Sequence, residues 1–112
     1  MKIEKPWGYY INIYENDNQK LKKIVVYPGK RLSLQSHKFR SEHWIITKGN
    51  ANVQLNDKFY NLTENEHIFI PVTEKHRIEN NTEQLLEFIE LQYGSYLDEN
   101  DIIRYEDDFG RI

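Results

Sequence analysis

The sequence contains no cysteine, so disulfide bonds and thiolate metal sites are both excluded. It has no apolar run approaching the length of a membrane span, and residues 1–6 do not resemble a signal peptide. A membrane is therefore not expected as a partner, and the cytoplasm is the expected compartment. Repeats, linkers and low-complexity segments are also missing.

Long runs of positive charge are absent as well, and the net charge is −3. The densest cluster of lysines, at residues 20–23, leads directly into the apolar residues 24–26 and is typical of a solvated strand start. No stripe of cations long enough to follow a phosphate backbone is present, so nucleic acid is not expected as a partner.

The composition that is present favours a single β-rich domain. With 112 residues the chain has the length of one domain, and 13% of its residues are aromatic. The cleanest pattern lies at residues 50–56, where Ala51, Val53 and Leu55 alternate with polar residues, a period of two. Similar short runs separated by turn residues predict an all-β antiparallel sandwich or barrel. We expect one domain over residues 1–112, with a core at about 5–97 and a tail at 98–112.

Two segments are ambiguous in the sequence. Residues 82–89 contain good helix formers, with Leu85, Phe88 and Ile89 at helical spacing, so local propensity favours a helix there. We nevertheless predict a strand over residues 85–92, because the neighbouring strands otherwise lack a partner. The acidic tail at 98–112 is predicted to form a turn or a short helix packed outside the barrel.

Polar side chains with metal-binding atoms occur on three predicted strands. In an extended run over residues 31–37, the side chains of Arg31, Gln35 and His37 share one face. Glu42 shares a face with Trp44, and a buried carboxylate in such a position needs a partner.

His76 likewise shares a strand face with Ile78. Together, Gln35, His37, Glu42 and His76 offer amide, imidazole and carboxylate donors, a set that suits a divalent ion such as zinc, manganese, iron, cobalt or nickel. An isolated histidine on a strand is more often a hydrogen-bonded or surface residue, which is how we interpret His67. His43 faces opposite to Glu42 in a regular strand and is not expected among the ligands.

The spacing of these donors resembles two sequence motifs of the cupin family. The first is Gly29-x5-Gln35-x-His37-x4-Glu42-x6-Gly49, with Gln35 where the family usually has histidine, and the second is Asn65-x5-Pro71-x4-His76-x3-Asn80. Asn65 and Thr73 replace family glycines, and Thr73 implies a changed turn. The resemblance implies a double-stranded β-helix, or jelly-roll, barrel that binds a metal inside, with zinc as the expected ion.

Nearly the whole chain, from Lys5 to Arg111, resembles the isomerase domain of type II phosphomannose isomerases. The segments that carry this likeness are Lys5-Pro6-Trp7-Gly8, residues 28–44, residues 89–94 and residues 101–111. The resemblance implies interconversion of mannose 6-phosphate and fructose 6-phosphate. It does not extend to the guanylyltransferase to which that domain is commonly fused, because this chain shows no glycine-rich nucleotide loop.

Further site residues are predicted for such a reaction. Arg31 is a candidate for binding the phosphate, because it shares the face of Gln35 and His37. The resemblance adds Arg40 for binding the substrate and Arg104 for the catalytic site, with a surface salt bridge as a serious competing explanation for either arginine. Glu90 shares a strand face with Phe88 and is a candidate for proton transfer. An ordinary carboxylate at a strand end is an equal alternative.

Two other functions remain open at this level. One is a cupin that binds a sugar phosphate or nucleotide sugar without turnover. The other is a different metal-dependent cupin enzyme, such as a dioxygenase, which Gln35 disfavours because oxygen chemistry on iron prefers imidazole and carboxylate ligands.

An open β-sandwich has unpaired edge strands to protect, and cupins often pair through sheet edges, so we predict a homodimer. Light scattering of the purified protein is expected to give twice the 13.6 kDa mass of one chain. A monomeric mass contradicts the prediction.

Overall fold

A computed structural model describes all residues, 1–112, and consists of β-strands without helices. The strands are β1 (Lys2–Lys5), β2 (Gly8–Glu15), β3 (Gln19–Val26), β4 (Leu34–Ser36), β5 (Arg40–Lys48), β6 (Ala51–Leu55), β7 (Lys58–Leu62), β8 (His67–Ile70), β9 (His76–Glu79), β10 (Leu86–Gly94) and β11 (Ile103–Glu106). Accordingly, no helix is available that could cross a lipid bilayer.

The strands form two antiparallel sheets. One has the order β1-β2-β3-β10-β5-β8 and the other the order β11-β4-β9-β6-β7. The alternating run at residues 50–56 becomes β6, with Ala51 and Val53 buried between the sheets. The predicted all-β barrel is confirmed.

The ambiguous segment at residues 85–92 is a strand, as predicted. Strand β10 is flanked on both sides, by β3 and by β5, and therefore has hydrogen-bonding partners along both edges. Leu86 and Phe88 alternate inward and are fully buried. Tertiary pairing thus overrides the local helix propensity of this segment.

The prediction for the C-terminal tail was wrong in its local structure. Residues 103–106 form β11, which pairs antiparallel with β4. Arg77 holds this strand to the second sheet, since its Nη1 donates to Glu106 Oε1 at 3.0 Å. The acidic composition of the tail gave no sign of this pairing, because it depends on an exposed strand edge elsewhere in the chain.

The interior is apolar at one end and polar at the other because of the strand register. Phe88 lies opposite Ile24 on β3 and Ile46 on β5, within a core cluster of twelve buried hydrophobic residues. Two residues further along β10, Glu90 lies opposite Lys22 and Trp44. Inward positions recur every two residues, and the register of β3, β5 and β10 places the inward polar residues Lys22, Glu42 and Glu90 at the same end of the barrel.

Thr73 occupies an unusual backbone conformation in the turn before β9. Its φ is 69°, in the left-handed region that favours glycine, and its side chain is exposed. The threonine therefore adopts a strained backbone instead of avoiding it, and its amide donates to the His37 carbonyl oxygen at 2.8 Å. Asn65, with φ of 75°, adopts the left-handed conformation that asparagine tolerates.

We expect Thr73→Gly to stabilise the fold by up to about 1 kcal/mol, since relief of left-handed strain exceeds the entropic cost of glycine. Urea denaturation measures the change. Val72→Gly is the matched control, because Val72 is an exposed β-branched neighbour without positive φ, and it is expected to destabilise. Loss of stability in Thr73→Gly contradicts the strain argument.

Candidate metal centre and adjoining cavity

Three of the four predicted metal ligands converge inside the polar end of the barrel. The donor atoms of His37, Glu42 and His76 all lie within 4.8 Å of one another. His37 Nε2 is 3.1 Å from Glu42 Oε2, and His76 Nε2 is 3.6 Å from Glu42 Oε1. All three residues are buried, with at most 3% of their surface exposed. They come from the β4–β5 loop, from β5 and from β9.

Both imidazoles are oriented by a carbonyl oxygen on the far side of the ring. His37 Nδ1 lies 2.7 Å from the Asp101 carbonyl oxygen, and His76 Nδ1 lies 3.0 Å from that of Glu74. A carbonyl oxygen can only accept a hydrogen bond, so each Nδ1 carries the hydrogen. In a neutral ring, Nε2 then carries the lone pair that a metal ligand requires, on the side of Glu42. When His37 is protonated, its Nε2–H instead donates to Glu42 Oε2, and in the neutral ring Nε2 can accept from Arg40 Nη2 at 3.3 Å.

Glu42 is the acidic centre of this cluster. Burial by itself raises the pKa of Glu42, but the hydrogen bond with His37 and the charge of Arg40 outweigh burial and hold the pKa well below its usual value. Arg40 Nε donates to Glu42 Oε2 at 2.9 Å, and the Trp44 indole N–H donates to Oε1 at 3.1 Å. The carboxylate is therefore ionised at neutral pH.

The two histidines differ in their electrostatics. Burial lowers the pKa of His76, which keeps its ring neutral. Burial also acts to lower the pKa of His37, but the hydrogen bond and charge of Glu42 raise it overall. His37 is thus the ring more strongly coupled to the carboxylate.

The cluster fits a divalent cation. Two imidazole nitrogens and one carboxylate oxygen form the mixed N/O set that zinc and other divalent transition metals accept. His76 Nε2 is buried and makes no hydrogen bond, although buried polar atoms are normally satisfied. A cation bound between these donors satisfies that nitrogen and neutralises part of the buried charge.

The sequence predicts one extended run over residues 31–37, and the structure differs from this prediction around Gln35 and Arg31. The strand here covers only Leu34–Ser36, and His37 follows it in a loop. Gln35 lies opposite His76 in the ladder, and its Oε1 accepts a hydrogen bond from Ser33 Oγ at 3.1 Å. Arg31 instead forms a bidentate pair with Asp108, at 2.7 and 2.9 Å. The ligand role of Gln35 stays a prediction.

A cavity adjoins the cluster and contains more positive than negative charge. Its charged residues are five cations (Lys5, Lys22, Arg40, Arg104 and Arg111) and two carboxylates (Glu90 and Glu99). Two guanidinium nitrogens, Arg40 Nη1 and Arg104 Nε, are buried without a hydrogen-bond partner. Glu42 and Asp107, just outside the lining, pair with Arg40 and Arg111. Lys5 and Arg104 form no salt bridge, and their positive charge favours an anionic ligand.

The cavity contains Glu90, as expected, together with residues that the sequence analysis missed. Lys22 is buried beside Glu90, and its Nζ contacts the Glu99 carboxylate at 3.1 Å. The alternation of Lys22 with Ile24 and Val26 places it on the inward face, a signal present in the sequence. The contributions of Glu99 and Arg111 come from the tail and had no such signal.

Glu90 is a second buried carboxylate, and it shares a hydrogen-bond donor, the Trp44 indole N–H, with Glu42. The Trp44 N–H lies 3.0 Å from Glu90 Oε1 as well as 3.1 Å from Glu42 Oε1. Gln92 Nε2 donates to Glu90 Oε2 at 2.9 Å. Burial and the neighbouring negative charge of Glu42 raise the pKa of Glu90 to about 7. This value suits a group that exchanges protons near neutral pH.

The remaining histidines lie outside this site. His43 Nε2 and His67 Nδ1 are 3.1 Å apart on the outer surface, in an arrangement separate from the metal cluster.

An antiparallel two-sheet barrel with imidazole and carboxylate donors converging inside it is the architecture of a cupin. Solved structures agree: oxalate decarboxylase from Bacillus subtilis aligns with a TM-score of 0.82 at 19% identity, over 94% of this chain and 30% of that one. The chain belongs to the family described as "Mannose-6-phosphate isomerase C-terminal", whose model matches residues 1–107. The sequence-based assignments of fold and family are thereby confirmed.

Other relatives are larger proteins. Xanthan biosynthesis protein XanB of Xanthomonas campestris is 46% identical over 98% of this chain but only 24% of its own length. Alginate biosynthesis protein AlgA of Pseudomonas aeruginosa is 46% identical over 98% of this chain and 23% of its length, and mannose-1-phosphate guanylyltransferase ManC of Salmonella typhimurium is 41% identical over 99% and 23%. The chain thus spans about a quarter of the length of these curated relatives.

A capsular polysaccharide assembling protein, CapF of Staphylococcus aureus, aligns with a TM-score of 0.82 over 95% of this chain and 34% of that one. Its 20% identity supports the shared fold alone.

We expect the protein to bind one Co²⁺ per chain, and Glu42→Gln and His76→Ala to weaken this binding more than about a hundredfold, beyond the usual effect of an outer-shell change. Visible absorption titration measures the affinity. His67→Ala is the matched control, because it removes an imidazole outside the cluster. Equal weakening in the control contradicts the assignment.

Proposed function

We propose that the domain is a metal-dependent sugar-phosphate isomerase that interconverts mannose 6-phosphate and fructose 6-phosphate. The observation that carries the proposal is a buried His–Glu–His cluster beside a cavity rich in cations, in a chain of this family. An aldose–ketose isomerisation needs a means of stabilising negative charge on the sugar oxygens, a proton-transfer group and a binding site for the phosphate. The polar end of the barrel offers a candidate for each.

The proposed ligands of the metal are His37, Glu42 and His76, with Gln35 as the fourth. A bound divalent ion supplies Lewis acidity, which stabilises negative charge on neighbouring sugar oxygens during proton transfer. The carbonyl contacts of His37 and His76 fix the tautomers that this role needs. Arg40 holds the Glu42 carboxylate in place by two contacts of 2.9 Å to Oε2.

Glu90 is the proposed proton-transfer group. It lines the cavity, and both of its oxygens are held by hydrogen bonds, from Trp44 and from Gln92. In the proposed reaction the Glu90 carboxylate takes the proton from C2 of the open-chain aldose while O1 gains a proton, which gives the enediol. The Glu90 carboxylic acid then returns its proton to C1 while O2 loses a proton, which yields the ketose. Lys22, its cross-strand neighbour, provides a fixed positive charge within the cavity.

Arg104 and Arg40 are the proposed arginines for the substrate. Both line the cavity, and both have a buried nitrogen without a hydrogen-bond partner that can donate to a phosphate oxygen. The Arg40 nitrogen, Nη1, also lies 3.9 Å from Glu99 Oε2. Arg31 is less favourably placed, since Asp108 occupies two of its nitrogens. Its role in substrate binding stays a prediction.

Zinc as the metal, a homodimer as the assembly and the cytoplasm as the compartment also stay predictions. The names of the relatives describe much longer proteins, so a guanylyltransferase activity is not part of this proposal.

The deciding experiment is a coupled assay of mannose 6-phosphate isomerisation with added divalent metal. Wild-type protein is expected to turn over, and His76→Ala to lose turnover together with metal binding. Glu90→Gln is expected to bind metal normally while its kcat falls by about 10²- to 10⁴-fold, the usual contribution of a general acid–base group.

The control variant is tested in the same assay, and the alternative functions are tested by measuring sugar-phosphate binding and oxygen uptake. His67→Ala, outside the site, is expected to retain full turnover. Binding of the sugar phosphate without turnover in wild-type protein refutes the isomerase and supports a binding cupin. Oxygen uptake with iron supports a different cupin enzyme.

A further inference from the structure

We propose that Asp101, in the C-terminal tail, is a positioning residue for the metal ligand His37. The inference rests on the metal site of the proposed function and adds a residue to it. Asp101 does not belong to the ligand set; it acts on the cation through His37 alone.

Asp101 contacts the loop that carries His37 at three points. Its carbonyl oxygen accepts the hydrogen bond from His37 Nδ1 at 2.7 Å. Its carboxylate accepts hydrogen bonds from the backbone amides of Lys38, at 2.9 Å, and Phe39, at 3.0 Å. One residue thus holds both the imidazole and the backbone that immediately follows it.

These contacts use a carboxylate that has been withdrawn from water. Asp101 is only 9% exposed, and no lysine or arginine forms a salt bridge with it. Burying an ionised group costs free energy unless its oxygens are hydrogen-bonded. The two loop amides supply those bonds, so the position of Asp101 is tied to the loop conformation.

The two imidazoles differ in where their support comes from. His76 is oriented by Glu74, two positions earlier in the same segment, whereas the support of His37 is 64 positions away in the sequence. The orientation of His37 therefore depends on the docking of the tail, while that of His76 does not.

Loss of the Asp101 side chain releases the two amides and lets the tail carbonyl move away from the ring. His37 can then rotate or carry its hydrogen on Nε2, the atom that faces Glu42. Either change removes the Nε2 lone pair of His37 from the ligands of the cation. Because coupling is reciprocal, metal binding is also expected to strengthen docking of the tail.

The test compares Asp101→Ala with Glu106→Ala in Co²⁺ titrations of the full chain. Asp101→Ala is expected to bind Co²⁺ about 10- to 100-fold more weakly, as losses of outer-shell partners usually do. Glu106→Ala removes only the side-chain pair with Arg77. It is expected to bind like the wild type, because Arg77 Nη2 still donates to the Glu106 carbonyl oxygen and β11 still pairs with β4. Asp101→Asn keeps one acceptor oxygen and is expected to lie between them; it also serves if Asp101→Ala does not fold.

A second measurement needs no metal. In ¹⁵N-labelled protein at alkaline pH, the His37 ring is expected to carry its hydrogen on Nδ1 in the wild type and in Glu106→Ala. In the Asp101 variants, mixed tautomers are expected. A merely structural role lowers stability without changing this signature.

The outcomes separate the inference from the function on which it rests. Wild-type Co²⁺ affinity and an unchanged His37 tautomer in folded Asp101 variants overturn the inference alone. Failure of the wild-type protein to bind Co²⁺ overturns the metal site and the inference together. Metal binding without isomerase turnover overturns only the proposed reaction.

Discussion

The ionised carboxylate of Glu42, fully buried among polar partners, is the constraint on which the polar end of the barrel depends. A carboxylate withdrawn from water costs several kcal/mol unless charges and hydrogen bonds compensate it. Here a guanidinium, an indole N–H and two imidazoles surround it. Each partner has further contacts that limit its movement, such as the Asp101 carbonyl behind His37. The geometry of the site follows from satisfying this one charge.

The need to compensate this buried charge also accounts for the separation, along the strands, of apolar layers that stabilise the fold from polar layers that form the site. Apolar layers around Phe88 and Ile46 supply the burial that stabilises the fold, and polar layers around Glu90 and Glu42 supply the chemistry. The strand register keeps these layers apart. The buried charges therefore lie together and compensate one another, instead of being scattered through the hydrophobic core.

Much of this could be predicted from the sequence, and the exceptions have physical reasons. A period of two reveals which face of a regular strand is buried, which was enough for residues 50–56 and for Glu42. It fails where the backbone leaves the strand, as it does before Leu34 and after Ser36, and Arg31 pairs with Asp108 instead of joining His37 at the site. Strand β11 and the contacts of Asp101 join positions more than sixty residues apart, and local patterns carry no information about such pairings.

The indole of Trp44 has a further consequence. Its single N–H is shared between two carboxylates, the proposed metal ligand Glu42 and the proposed proton-transfer group Glu90, so a bound cation or a moved proton changes the charge around the indole. Trp7, the second tryptophan of the chain, borders the adjoining cavity. Indole emission responds to nearby charge, so both tryptophans of the protein report on the polar end of the barrel. The molecule thus contains a built-in optical probe of its own interior, which requires no label.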